Sequence, residues 1–166
     1  MKAKRAMNLL AGAALAASMA PALAQLPTEK VRPMGLALEA AQAALASCEQ
    51  AGYKVSVAVV DRAGITRVLL RGDGAGPHTT DSSSRKAYTS ASLRRATLEL
   101  AKMVSENPMA AGVRNLNDKV LILGGGLPIK AGEEVIGGIG VGGAPGGDKD
   151  EVCAQAGIDK IKDRLQ

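Results

Sequence analysis

"YKVSVAVVDRAGITRVLLRGDG", residues 53–74, decides the fold class. Val55, Val57 and Val59 alternate along the chain and therefore share one face of an extended strand. Asp61-Arg62-Ala63-Gly64 supplies turn chemistry, and the run from Ile65 to Arg71 returns as a second strand. The spacing predicts a β-hairpin.

Outward from that hairpin the period changes. In residues 34–51, Met34, Leu38, Ala41, Leu45 and Cys48 recur at steps of four and three, which is one face of an amphipathic helix; Gly52 suits the position just past its end. Residues 81–107 are mostly helical, with Ala87, Ala91, Leu98 and Ala101 as the buried stripe. Arg94-Arg95 interrupts that run and allows two shorter helices, and Asn107-Pro108 ends it. "KVLILGGGLPIKAGEEVIGGIGVGG", residues 119–143, predicts a second hairpin around Lys130-Ala131-Gly132-Glu133. From about Gly147 the chain is helical again, with Ala154, Ile158, Ile161 and Leu165 on one face. Helix, hairpin, helices, hairpin and helix make an α+β domain with helices packed on an antiparallel sheet.

The first 24 residues read as an export signal. Lys2, Lys4 and Arg5 precede an apolar core from Leu9, and Ala22-Leu23-Ala24 is the small-x-small pattern of a cleavage site. Cleavage after Ala24, a short linker over 25–33 and a single domain over 34–166 are expected. The product is then periplasmic or secreted, with no membrane insertion of the mature chain. Of the 166 residues, 142 remain, enough for one core. The whole chain carries 21 basic and 16 acidic residues. Three of the basic ones leave with the signal, so 18 against 16 gives the mature chain a net charge of +2. With two tyrosines as the only aromatics, base-stacking platforms are missing and nucleic acid is not an expected partner. Cys48 and Cys153 lie in predicted helices near opposite ends of the domain. In an oxidising compartment they could pair or remain two buried thiols. Ligand count excludes a structural zinc site.

The sole histidine, His78, stands in "GAGPHTTDSSSRKAYTS", residues 74–90. Thr79, Thr80 and Asp81 are all suited to capping the helix that follows. His78 then sits just before a helix N-terminus, a setting that favours the neutral imidazole a metal ligand must be. Arg85 and Lys86, further into the helix, are placed for an anionic ligand's carboxylates, with Tyr88 within reach. A solvent-exposed loop histidine followed by a solvated basic helix face is the alternative. "GIGVGG" holds G-x-G-x-x-G at Gly138, Gly140 and Gly143, but too little chain follows for a dinucleotide-binding βαβ unit. Free amides in "GGAPGGD" near the last helix could hold an anionic group, although a glycine-rich strand end is the plainer reading. A serine hydrolase is excluded by the absence of a nucleophile elbow.

In their order and spacing, "VSVAVVDRAG", "RGDGAGPHTTDSSSRKAYTSAS" and "LGGGLPIKAGEEVIGGIGVGGAPGGDKDEVCAQAGI" resemble the GlcG/HbpS family of haem-binding or haem-degrading domains. The family is related to the C-terminal domain of PduO-type corrinoid adenosyltransferases. The resemblance runs from about Leu36 to the final helix. It implies a profilin-like antiparallel sheet of about five strands flanked by α-helices, the fifth strand lying near residues 113–118 or arising from a split segment. It also implies a homo-oligomer, and for some members a membrane sensor partner. Matched by position, His78 becomes the candidate axial iron ligand, and Arg85 and Lys86 the candidate propionate contacts. Tyr88 and Thr89 line the pocket. Met109, in "ENPMAAG", is a possible second axial ligand on side-chain chemistry alone. With so few aromatics, Leu, Val and Met would have to supply the flat apolar surface a porphyrin needs.

The leading expectation is an exported haem-binding protein for haem scavenging, storage or redox sensing, with reversible iron ligation by His78. A module binding a corrinoid, a small organic acid or a partner protein ranks second. An oxidative haem-degrading enzyme ranks third.

Overall fold

A computed structural model describes residues 28–165. The predicted export signal and the first three residues of the linker lie outside that range. Strands β1 (Ser56–Asp61) and β2 (Thr66–Arg71) form the first hairpin, and β3 (Gly126–Ala131) and β4 (Glu134–Gly142) the second. The two hairpins join through β1 and β4 into one antiparallel sheet of order β2-β1-β4-β3. Asp61 shapes the first turn, its carboxylate accepting from the amides of Ala63 and Ile65 at 3.0 and 2.9 Å. Gly64, at φ 76°, takes the left-handed conformation there. The described residues hold four strands in place of the five that family resemblance implied. Residues 108–115, which overlap the region expected to hold the fifth, form a 3-10 turn instead.

Helix α2 (His78–Leu93) covers one face of the sheet; α1 (Met34–Gln50) and α4 (Gly147–Ile161) cover the other. Alternation along the strands separates the two layers. Val57, Val59, Ile139 and Val141 pack into the core with α1 and α4, while Ala58 and Val60 meet Ala87 and Ala91 of α2. Gly138 and Gly140 present no side chain to α2, and the helix backbone occupies that room. A Cβ on Gly140 would lie 2.2 Å from the Ser83 carbonyl, and one on Gly138 would lie 2.4 Å from that of Ala87. The glycines therefore stand in the middle of β4, as the seat of a closely packed helix, and not at a strand end.

On the opposite face, α1 and α4 also approach closely. A Cβ on Gly157 would meet the Ala40 carbonyl at 2.5 Å. The buried face of α1 is accordingly Ala37, Ala40, Ala41, Ala44 and Cys48. Met34 and Leu38, predicted on that face, are 49% and 38% exposed. Small side chains win because they let the helix axes close up. Cys48 and Cys153 form a disulfide between these two helices, with Cα atoms 5.5 Å apart.

The helical run breaks where the arginine pair predicted. Arg94 adopts φ 55°, the sole non-glycine residue with positive φ among those described, and ends α2. Helix α3 (Thr97–Glu106) follows, burying Leu100 and Val104. Leu98, expected in the buried stripe, is 40% exposed, because the break resets the helical phase. Among the described residues no helix is long and apolar enough to cross a membrane.

Candidate functional site

All the residues singled out in the sequence except Met109 come from α2, and the helix sorts them by direction. Successive residues on an α-helix point about 100° apart, since there are 3.6 per turn. His78, Asp81, Arg85 and Tyr88, at steps of three, four and three, therefore follow one face, while Lys86 faces elsewhere.

His78 is the first residue of α2, not the last of the preceding loop. Pro77 occupies the cap position and no side chain caps the helix. The hydroxyls of Thr79 and Thr80, expected to serve as caps, instead donate back to the carbonyls of Gly76 and Pro77. The imidazole is exposed beside Gly76, where an added Cβ would meet the ring at 2.7 Å.

Two turns on, roughly 10 Å along the axis, Arg85 donates from Nη2 to the Val120 carbonyl at 2.9 Å. Its Nη1 lies 3.6 Å from the Asp81 carboxylate. The Nε of the same side chain is buried and has no hydrogen-bond partner among the described residues. Tyr88 stacks its ring on Gly64, and its hydroxyl accepts from Asn117 Nδ2 at 3.3 Å. The Lys119 ammonium sits 5.5 Å from the centre of that ring, a cation–π distance. Asn117 holds Lys119 there by accepting its backbone amide, and that of Val120, in a side-chain-closed turn. Arg85, Tyr88, Lys119, Asp81, Ser84 and the Gly64–Thr66 turn enclose a cleft of about 310 Å³.

Lys86 and Thr89 were expected at the same ligand and are not brought to it. Lys86 is 2% exposed. Its ammonium lies 2.7 Å from the Asp150 carboxylate and donates to the Val141 carbonyl at 3.0 Å. A side chain held inside by two such bonds does not line the cleft. Thr89 is also buried; it donates to the Arg85 carbonyl and accepts from the Leu121 amide, bracing the segment that carries Lys119. Met109, on the 3-10 turn Pro108–Asn115, is 92% exposed and does not line the cleft.

The amides of "GGAPGGD" do receive an anionic group. The anion is the chain's own: the Asp150 carboxylate accepts from the Ala144 amide at 3.0 Å. Burial pushes this carboxyl above its ordinary value, against the opposing pull of Lys86 and the Ala144 and Gly143 amides.

Sequence reasoning missed Lys119, Asn117 and the Gly64 turn as parts of the cleft. The "NLNDK" stretch does carry an Asx-turn signal, but nothing local shows that it folds over Tyr88.

Fold and site together define an α+β domain with helices on both faces of a four-stranded sheet and a cation-lined cleft beside one helix. The chain matches the family model of the haem-degrading protein HbpS-like proteins over residues 34–159 and belongs to that family. A double mutant of HbpS from Streptomyces reticuli is 44% identical with a TM-score of 0.76, the match covering 84% of this chain and 95% of that one. The PduOC:heme complex is 27% identical with a TM-score of 0.73, covering 80% of this chain and 96% of that one. An uncharacterized 15.0 kDa protein from the dhaT-dhaS intergenic region of Citrobacter freundii is 33% identical over 127 residues. That match covers 76% of this chain and 89% of the relative.

Proposed function

We propose that this protein is an exported haem-binding protein, acting in haem scavenging, storage or redox sensing. The observation that carries the reading is the face of α2. There an exposed imidazole, His78, stands two turns from a guanidinium whose buried Nε lacks a partner. The family and a haem-bound relative support haem as the ligand.

The chemistry of the residues on this face fits that group, with His78 standing outside the lining of the cleft that Arg85 and Lys119 share. His78 would ligate the iron, and haem would supply the redox-active metal. Arg85 and Lys119 would hold the propionates, Arg85 offering an unused donor and Lys119 a half-free ammonium poised by Tyr88. Tyr88 and Ile65, which is 58% exposed, would give the porphyrin an apolar edge. Arg85 and Lys119 thus replace the pair Arg85 and Lys86 as anchors, and Met109 remains a second ligand only if its turn moves toward the iron. The cleft is open, so the proposal includes a homo-oligomer in which a second copy covers the outer porphyrin face, and for a sensing role a membrane sensor partner.

Export is supported from two sides. Residues 1–24 carry the pattern of a signal, and the Cys48–Cys153 disulfide suits an oxidising compartment. The proposal is therefore a periplasmic or secreted protein.

Titration of the purified protein with haemin, beside His78→Ala, tests the reading. A saturable Soret shift at fixed stoichiometry, altered in the variant, is the expected result. Identical spectra for the two proteins would remove His78 as ligand, and no saturation would remove haem. Loss of the Soret band with a reductant, in the presence of catalase, together with a defined linear tetrapyrrole, would convert the reading to haem degradation.

A further inference from the structure

A second cation cluster lies away from α2, where the chain enters α1. Arg32, two residues before that helix, lies over Gly137 of β4. A Cβ on Gly137 would come within 2.8 Å of Arg32 Nη1 and 2.3 Å of the Val60 carbonyl, so glycine makes the room for the guanidinium. Arg32 is only 5% exposed. Its Nη2 donates to the Val60 carbonyl at 3.1 Å, while Nε and Nη1 are buried without a hydrogen-bond partner among the described residues. Nε and Nη1 lie on opposite sides of the guanidinium, and each makes with Nη2 one of the two edges that meet carboxylate or phosphate oxygens.

The surroundings have the same sign. Lys30, Arg62 and Arg67 line a cleft of about 230 Å³ with Arg32, against the carboxylates of Glu29 and Asp61. Four cations thus face two anions along the lining, and one of the four, Arg62, is already paired with Glu134 outside it. Asp61 is already engaged by the turn amides of Ala63 and Ile65, and its nearest contact with Arg67 is long, at 3.9 Å. Burial, then the neighbouring Arg67, lowers the Arg32 guanidinium to about 10, with Asp61 offsetting part of the effect. Buried donors almost always find partners in folded proteins; here two on one charged group have none.

We infer that this cleft binds a small multivalent oxyanion, phosphate or a small polycarboxylate, through the unpartnered donors of Arg32 and the side chain of Arg67. Arg32 forms the floor. Arg67, whose side chain is one-third exposed, is the wall that moves to admit the ligand. The site is separate from the α2 face and does not depend on haem.

Calorimetric titration of the purified protein with inorganic phosphate, and separately with citrate, at constant ionic strength set with sodium chloride, tests the inference. Saturable one-to-one binding of at least one anion is expected, weakened tenfold or more in Arg67→Gln and unchanged in Lys162→Gln, a cation outside the cleft. Binding of phosphate alone identifies a phosphate site, and binding of citrate alone a carboxylate site. The same anion should raise the melting temperature of the parent protein but not of Arg32→Met. If Arg32→Met does not fold, the Arg67→Gln titration decides alone. No saturable heat with either anion, or unchanged affinity in Arg67→Gln, overturns the inference.

Discussion

Lys86 of α2 and Asp150 of α4 meet as an ion pair 2.7 Å long in the interior, their side chains 2% and 3% exposed. The pair crosses the end of the sheet beside Gly125, where an added Cβ would stand 3.1 Å from the ammonium. It ties helices from opposite faces of the sheet, and the Val141 carbonyl and Ala144 amide complete its hydrogen bonding. Breaking such a pair from one side costs more than the pair contributes, because the remaining charge is left buried.

Lys86→Met should therefore destabilise the fold by about 3–5 kcal/mol at neutral pH, read from urea denaturation. The pH dependence has a definite sign. Burial raises the Asp150 carboxyl, and removing Lys86 removes a pull in the other direction. A folded-state value above the unfolded one means that the folded protein binds the extra proton. The variant should thus regain stability as the pH falls from 7 toward the ordinary aspartate value of about 3.9. A deficit that stays constant over that window would show that Asp150 is not the group left behind.

Gly140 and Gly35 make a contrasting pair. A methyl group at Gly140 would collide with the Ser83 carbonyl and with the Ala87 amide, at 2.2 and 2.4 Å. Both are backbone atoms that cannot swing aside. Gly140→Ala should cost roughly 1–3 kcal/mol or more by forcing α2 off the sheet. Gly35 lies in α1 with nothing within 4 Å of the added carbon, so Gly35→Ala should be neutral or stabilising by up to about 1 kcal/mol. Melting temperatures of the two variants, falling for one and not for the other, check both.

Closing a chain separation of 105 residues, the Cys48–Cys153 bond constrains the unfolded state strongly. The chain-entropy account gives roughly 4–5 kcal/mol for a loop of this length. A Cys48→Ala/Cys153→Ala double variant should lose about 2–5 kcal/mol in denaturant midpoint analysis. Both sulfurs are buried, so the native protein should resist a reductant that cleaves the bond readily once urea is present. Equal reduction rates with and without urea would contradict the buried position.

The hairpins were legible because alternating valines and Asp61-Gly64 turn chemistry act over a few residues. The break at Arg94-Arg95 was legible for the same reason. Which helix face is buried was less so. Leucine spacing pointed to Met34 and Leu38, but the approach of Gly157 to Ala40 selects the alanine face, and that contact spans most of the chain. Gly138 and Gly140 were legible as part of the second hairpin, but which backbone they admit was not, because only the presence of α2 explains it. Arg85 and Lys86 looked alike as neighbouring cations; the helix sends one to the cleft and the other to Asp150. Lys119 was invisible as a site residue, since its partner Tyr88 is 31 positions away and only the folded turn brings them together.

On the α2 face, ligation and anchoring should separate experimentally. His78 would act on the iron and Arg85 and Lys119 on the propionates, so their removal should have different signatures in a haemin titration. His78→Ala should change the Soret position of the saturated protein. Arg85→Gln and Lys119→Gln should leave that position unchanged while weakening affinity. A charge-assisted hydrogen bond is worth about 1.5–3 kcal/mol when well shielded, but Arg85 is one-third exposed and solvent reduces the figure. The expected loss is about three- to tenfold for each anchor. Lys86→Arg, by contrast, alters a buried pair that faces away from the cleft, and any folded fraction should bind haemin as the parent does. A shifted Soret band in Arg85→Gln, or unchanged affinity in both anchor variants, would remove the propionate assignment and leave His78 to be judged on its own spectrum.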